Sequence, residues 1–218
     1  MKRITIVTAA HVDAGKTTLS EAMLLAAGEI RRAGRVDNGD CFLDNDARER
    51  SRGITIYSKQ AILRTESAEI TLLDTPGHID FSAETERAFS VADCAVLVIS
   101  GTDGVQSHTE TLWELLKRFK VPVFVFVNKM DISHKSKSEI LNELKKLSPD
   151  FADFSESISE AVSEFDEDCM NVFLEKGDVP SELISKAITR RNVFPVMFGS
   201  ALKNVGVAEF LAALGKYS

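Results

Sequence analysis

Three apolar runs constrain the fold of this chain more than any other feature. Ala95 to Ile99, Val121 to Val127 and Val193 to Phe198 are continuous rather than alternating, the pattern of strands covered by other structure on both faces. Pro122 and Pro195 sit near the starts of the last two runs, where a missing N–H is tolerated. Helical periodicity fills the intervals, notably Thr109 to Phe119 and Lys137 to Leu147, and an amphipathic stretch, Val207 to Leu214, lies near the end. An earlier β-branched run, Ile4 to Thr8, passes through small residues into a helical stretch from Thr17 to Ala27. Ile54 to Leu63 and Glu69 to Leu73 read as two strands joined by a polar turn at Glu66 and Ser67, an antiparallel hairpin at a sheet edge. The expected fold is α/β: a mostly parallel, six-stranded wound sheet with one antiparallel edge strand and helices on both faces. Its ligand site lies beyond the carboxyl ends of the strands.

Composition narrows the setting. With 44% apolar residues in 218, the chain can bury a core without staples. Cys41, Cys94 and Cys169 are scattered, so neither a disulfide framework nor a structural zinc site is expected. Nothing approaches the ~20 apolar residues of a membrane span, and the amino terminus lacks a signal-peptide core. The formal charge of -7 is local: nine acidic and no basic residues lie between Leu147 and Glu175, and the rest holds 26 basic against 24 acidic residues. A generic polyanion binder is therefore not expected. The acidic stretch, about residues 148–191, reads as extra helices inserted in the same domain, with a solvated face.

Most strands end in residues with phosphate or base chemistry. Ala10-His11-Val12-Asp13-Ala14-Gly15-Lys16-Thr17 has the spacing of a Walker A loop, with Ala10 in place of its first glycine. Backbone N–H groups and a helix amino terminus would surround a β-phosphate there, Lys16 would neutralise β/γ oxygens, and Thr17 would offer a hydroxyl to Mg²⁺. Asp74-Thr75-Pro76-Gly77-His78 closes the strand from Glu69: a carboxylate for a Mg²⁺-bound water, and a glycine that lets a backbone N–H approach the γ-phosphate. Asn128-Lys129-Met130-Asp131 selects guanine, with Asp131 accepting from N1–H and the exocyclic amine, Asn128 reading the opposite edge and the Lys129 stem over the ring. The amides of Gly199-Ser200-Ala201 are candidate donors to guanine O6. Thr55 is a candidate second Mg²⁺ hydroxyl, presented when the polar loop Gly34 to Arg52 closes. Loops of that length are commonly functional.

These residues together resemble the translational GTPases, and specifically the branch holding elongation factor G and the tetracycline-resistance ribosomal protection proteins. The resemblance rests on Ala10 to Thr18, Arg52-Gly53-Ile54-Thr55-Ile56, Asp74 to Phe81, Asn128 to Asp131 and Gly104-Val105-Gln106. Alanine at position 10 is a form that branch uses. The resemblance implies a P-loop G domain over residues 1–218, binding GTP/GDP and Mg²⁺ and acting on the ribosome. His78 would orient the attacking water, with Val12 and Ile54 as an apolar gate, and Asp13 would hold a monovalent cation near the phosphates. The catalytic set is then His78, Lys16, Asp13 and Thr55. The nucleotide-binding set adds Ala14, Gly15, Thr17, Thr18, Gly77, Asn128, Lys129, Asp131, Ser200, Ala201 and Leu202, and the metal set is Thr17, Thr55 and Asp74. His11, His108 and His134 receive no catalytic role.

Such factors continue into further domains, so an amino-terminal fragment of a longer protein is expected. The insertion length is closer to the ribosomal protection proteins than to elongation factor G. A cytoplasmic monomer is expected, with a guanine nucleotide and the ribosome as partners and neither a membrane nor sequence-specific DNA. The function expected is ribosome-stimulated GTP hydrolysis of the ribosomal protection type, and three alternatives stay open: an elongation factor G-like translocation factor, a nucleotide-dependent binding switch with incidental hydrolysis, and a P-loop kinase or ATPase using ATP.

Overall fold

A computed structural model describes residues 2–34, 41–43, 59–76 and 82–218. Its centre is a seven-stranded sheet: β1 (Lys2–Ala10), β2 (Lys59–Arg64), β3 (Ala68–Asp74), β4 (Cys94–Ser100), β5 (Val123–Asn128), β6 (Phe151–Asp153) and β7 (Phe194–Phe198). The spatial order is β2-β3-β1-β4-β5-β7-β6. All neighbours are parallel except β2 with β3, the expected hairpin at the edge. Residues 54–58 of the expected first hairpin strand lie outside the described residues.

Burial explains the sequence patterns. Every residue of β4 and β5 is buried, which is why their runs are continuous, whereas β2 at the edge alternates. Within β4 and β5 the side chains divide by parity. Val96, Val98, Phe124 and Phe126 join one core with Leu19 and Met23 of α1 (Lys16–Ala26) and Phe210 and Leu214 of α8 (Val207–Tyr217). Leu97, Ile99, Val123 and Val125 join the other with Phe89 of α2 (Ser82–Phe89), Trp113 and Leu116 of α3 (Ser107–Arg118) and Ile140 and Leu144 of α4 (Lys137–Lys145). Two helical layers thus cover one sheet.

Local signals set the helix starts. Gln106 and Thr109 form a capping box at α3, and Ser136 and Glu139 form another at α4. Three helices come from the acidic insertion: α5 (Ile158–Ser163), α6 (Glu167–Lys176) and α7 (Ser181–Thr189). Val162, Cys169 and Ile184 from these helices pack into the α1/α8 core.

The strand count exceeds the expected six by one. Phe151-Ala152-Asp153 is too short to show periodicity in the sequence, yet it pairs in register with Phe194 to Val196. The reason is tertiary. Phe151 packs 4.8 Å from Trp113 and 5.3 Å from Phe194 by ring centroids, and Arg191 lies over both Trp113 and Phe194. That aromatic cluster draws a three-residue segment onto the sheet edge.

Candidate nucleotide site

Sheet register assembles the phosphate end. Parallel pairing sets Thr8 of β1 beside Asp74 of β3. Beyond β1 the chain turns through Asp13 (φ 61°) and Gly15 (φ 88°) into α1, a left-handed alternation of the kind that turns backbone N–H groups toward an anion. No side chain caps α1 and no acidic residue occupies its first turn, so its positive end suits phosphate. Gly15 has two reasons to be glycine: its φ, and a position where a Cβ would lie 2.3 Å from Asn128 Nδ2.

Asp74 is the hub. Its side chain is buried, and Oδ2 accepts from Lys16 Nζ at 2.7 Å and from Thr17 Oγ1 at 3.2 Å. Oδ1 accepts from Thr8 Oγ1 at 2.7 Å and Ser20 Oγ at 2.9 Å. Thr75 Oγ1 donates to the Thr8 carbonyl at 2.7 Å, pinning the start of the following segment to β1. Thr8 and Ser20 were not singled out in the sequence. A polar residue inside the apolar run of β1, and a serine four residues after Lys16 on the same helix face, were the available signals.

The base end is braced differently. Asn128 donates from Nδ2 to the Ala14 carbonyl at 3.0 Å and accepts at Oδ1 from the Ala201 N–H at 2.8 Å. It therefore joins the Walker loop to the segment after β7, and one N–H of its amide remains beyond these two bonds. Met130 N–H donates to the Gly199 carbonyl at 3.0 Å, a second tie between the segment after β5 and the one after β7. Lys129 has φ 62° and is half-buried.

The expected O6 donors all carry hydrogen bonds within the protein. Gly199 N–H donates to Val127, Ser200 N–H to Val205 and Ala201 N–H to Asn128, so each of these amides is already engaged within the protein. Ser200 and Val205 exchange both backbone bonds, which closes the tight turn between them. Ser200 and Ala201 are buried and Leu202 is exposed.

Asp131 is exposed and ion-paired with Lys203, Oδ2 to Nζ 3.2 Å. A hydrogen bond from the Ser200 side chain, and then Lys203, hold its carboxyl below the usual carboxylate range against a modest desolvation. Lys203 was also missed, although it follows Leu202 directly. His11 and His108 bring their rings within 6.0 Å beside the Walker loop. Asp13 is exposed and Thr18 half-buried. Thr55, Ile54, Gly77 and His78 lie outside the described residues.

A helix start suited to an anion, a buried carboxylate beside its lysine and a braced Asn-Lys-Met-Asp segment thus meet at the ends of β1, β3, β5 and β7. The sequence profile of the elongation factor Tu GTP binding domain matches residues 1–218. The chain belongs to that family. It is accordingly a GTP-binding domain and a GTPase, with the P-loop GTPase fold.

Among its relatives are the tetracycline resistance protein TetM of Streptomyces lividans, 35% identical over 98% of this chain and 37% of that protein, and elongation factor G 1 of Treponema denticola, 33% identical over 94% and 38%. The chain thus spans less than two-fifths of the length of these relatives. A crystal structure of a Thermus thermophilus protein superposes with a TM-score of 0.87 at 24% identity, covering 98% of this chain and 40% of that one, which supports the fold. No helix among the described residues is long and apolar enough to cross a membrane.

Proposed function

We propose that this chain is the G domain of a ribosome-associated translational GTPase of the tetracycline-resistance ribosomal protection type. The observation that carries the finer reading is the pattern of likeness. TetM relatives align at 35% and 36% identity over 237 and 234 positions, covering 98% of the chain. Elongation factor G relatives align at 33% and 29% over 259 and 262 positions while covering less of it. Longer alignments over fewer residues mean larger insertions in the elongation factors, and the compact insertion between Asp131 and Val193 suits the first group. An elongation factor G-like translocation role is the second reading, favoured by the shared motifs. On either reading the chain is part of a longer factor, and works in the cytoplasm as a monomer with no sequence-specific DNA partner.

The reaction is GTP and water to GDP and phosphate by in-line attack. The donor set suits a hard cation: the Thr17 hydroxyl and the Asp74 carboxylate converge within 3.2 Å. With Thr55 they would hold Mg²⁺, which when bound neutralises the β- and γ-phosphate oxygens. In the structure Lys16 is directed at Asp74; for catalysis its ammonium would instead meet the phosphates that enter the loop. The N–H groups of Asp13 to Thr18 and of Gly77 would add donors, and Asp13 is assigned to a monovalent cation beside them. His78 would orient the attacking water. Asp131 would accept from the guanine N1–H and amine, while Lys129 covers the ring and Leu202 borders it. The remaining amide N–H of Asn128 would serve the base edge.

The deciding experiment replaces His78 by alanine. Ribosome-stimulated hydrolysis should fall by orders of magnitude while GDP binding persists, because a ribosomal partner can supply up to ~10⁵-fold in a slow domain of this kind. Unchanged biological activity of the variant would instead favour a pure binding switch. Competition between GDP and ADP tests base choice, and equal affinities would refute the role of Asp131. Expressing the complete gene in a tetracycline-sensitive host separates resistance from translocation.

A further inference from the structure

The segment after β5 that carries Lys129 and Asp131 is held at both ends by one residue of another loop. Gly101, the first residue beyond β4, is buried. Its N–H donates to the Asn128 carbonyl at 2.7 Å, and its own carbonyl accepts from Ser133 Oγ at 2.8 Å. The Ser133 hydroxyl has one proton, and this contact is shorter than the 3.1 Å to the Lys135 carbonyl. Lys135 N–H in turn donates to Ser133 Oγ at 3.0 Å. Between the two gripped ends, Ile132 N–H donates to the Lys129 carbonyl at 3.2 Å, which closes a β-turn with Asp131 at its third position.

The loop that carries Gly101 is itself tied down. Lys135 Nζ donates to the Asp103 carbonyl at 3.1 Å and pairs with Glu143 Oε1 of α4 at 2.7 Å, while Glu143 Oε2 accepts from the Val105 N–H at 3.0 Å. Ser100 Oγ donates to Asp103 Oδ2 at 2.6 Å. Gly101 does not have a positive φ, so its glycine answers to space rather than to conformation. A Cβ there would lie 2.8 Å from Met130 Sδ and 2.9 Å from the Asn128 carbonyl oxygen. The backbone of this loop therefore lies directly against the guanine motif, with no side chain between them.

We propose that Ser133, clamped to Gly101, is a positioning residue for base specificity: its hydroxyl closes the segment that presents Asp131, and so sets how well the site separates guanine from a base without the exocyclic amine. It touches no nucleotide and acts through the backbone of Asn128 to Ser133. The proposal rests on the reading that Asp131 accepts from the guanine N1–H and amine. Hydrogen bonds weaken steeply as they bend, so a carboxylate that must meet two donors at once needs a fixed backbone beneath it. The phosphates make no such demand on this turn.

The test measures, by calorimetry, the affinities of the full chain for GDP and for inosine diphosphate, its analogue without the exocyclic amine, with nucleotide-free thermal melts alongside. Wild type and Asp131→Ala come first: wild type should prefer GDP, and Asp131→Ala should lose that preference. If either fails, the guanine reading of Asp131 falls and the clamp falls with it. With both in hand, Ser133→Ala should weaken GDP binding by about three- to ten-fold, the range of one lost hydrogen bond. Inosine diphosphate should weaken by a smaller factor, so the ratio of the two affinities narrows. Gly101→Ala, whose methyl pushes on the Asn128 carbonyl, should narrow the ratio from the other side of the clamp. A wild-type ratio in either variant would overturn the proposal and leave the Asp131 reading standing. An equal loss for both nucleotides with a lowered melting temperature would also overturn it, because that is what a merely structural contact gives.

Discussion

At the phosphate end of the site a fully buried carboxylate is held by one ammonium and three hydroxyls; at the base end the buried brace is a neutral amide, and the charged pair, Asp131 and Lys203, stands near solvent. At the first end the charges of Lys16 and Asp74 are themselves buried, so each needs its partners. The base end must hold two loops in register and discriminate by hydrogen-bond geometry, which neutral groups do at a smaller desolvation cost than charges. Disturbing the first should therefore harm stability and chemistry together. Disturbing the second should loosen nucleotide binding more selectively.

The largest effect is expected for Asp74→Ala. It strands Lys16, 7% exposed, orphans the Ser20 hydroxyl and leaves Thr8 only its long bond to the Leu73 carbonyl, so unfolding titrations should show a loss of about 3–5 kcal/mol. Hydrolysis should become undetectable. Asn128→Ala comes next: it leaves the Ala14 carbonyl and the Ala201 N–H without their side-chain partner, at about 1–3 kcal/mol in all for neutral groups, and calorimetry should report weakened GDP binding. If this variant lost as much stability as Asp74→Ala, the contrast between the two ends would fail.

Gly15→Ala should cost about 1–2 kcal/mol from its left-handed backbone alone. It should also weaken nucleotide binding, because the new Cβ pushes on Asn128 and so links the two ends. Thermal melts with and without GDP separate the two contributions.

The smallest effect on stability is expected for Lys203→Ala, an exposed partner. Its signature is in pH. The pKa of Asp131 is lowered, so the carboxylate proposed to accept from guanine should stay ionised further into acid than an ordinary one. Removing Lys203 or the Ser200 hydroxyl raises that pKa, and GDP affinity should then fall at a higher pH than in wild type. Titrating GDP affinity between neutral and acidic pH checks this, and an unshifted profile would remove both residues from the account of Asp131.

Much of the site was legible because its chemistry is local. The spacing from Ala10 to Thr17, the Asp74 turn and the Asn128-Lys129-Met130-Asp131 segment are contiguous, and continuous apolar runs marked the central strands that carry most of them. What was illegible depends on pairs distant in sequence. Asn128 reads locally as a base contact, yet its amide spans to Ala14 and Ala201. The amides after β7 read as donors to a ligand, yet each is consumed within the protein, by Val127, Val205 and Asn128. Ser133 reads as an ordinary loop serine until the Gly101 carbonyl accepts from its hydroxyl.

The sequence by itself determined the wound parallel sheet, the strand ends at which chemistry gathers and the choice of phosphate and guanine, because hydrophobic periodicity and contiguous motifs are properties of neighbours along the chain. Only the tertiary structure decided the seventh strand, the hydroxyl cage around Asp74, the brace at Asn128 and the contact of Ser133 with Gly101. Those depend on which buried polar groups meet after packing, and burial is what makes each such partner necessary.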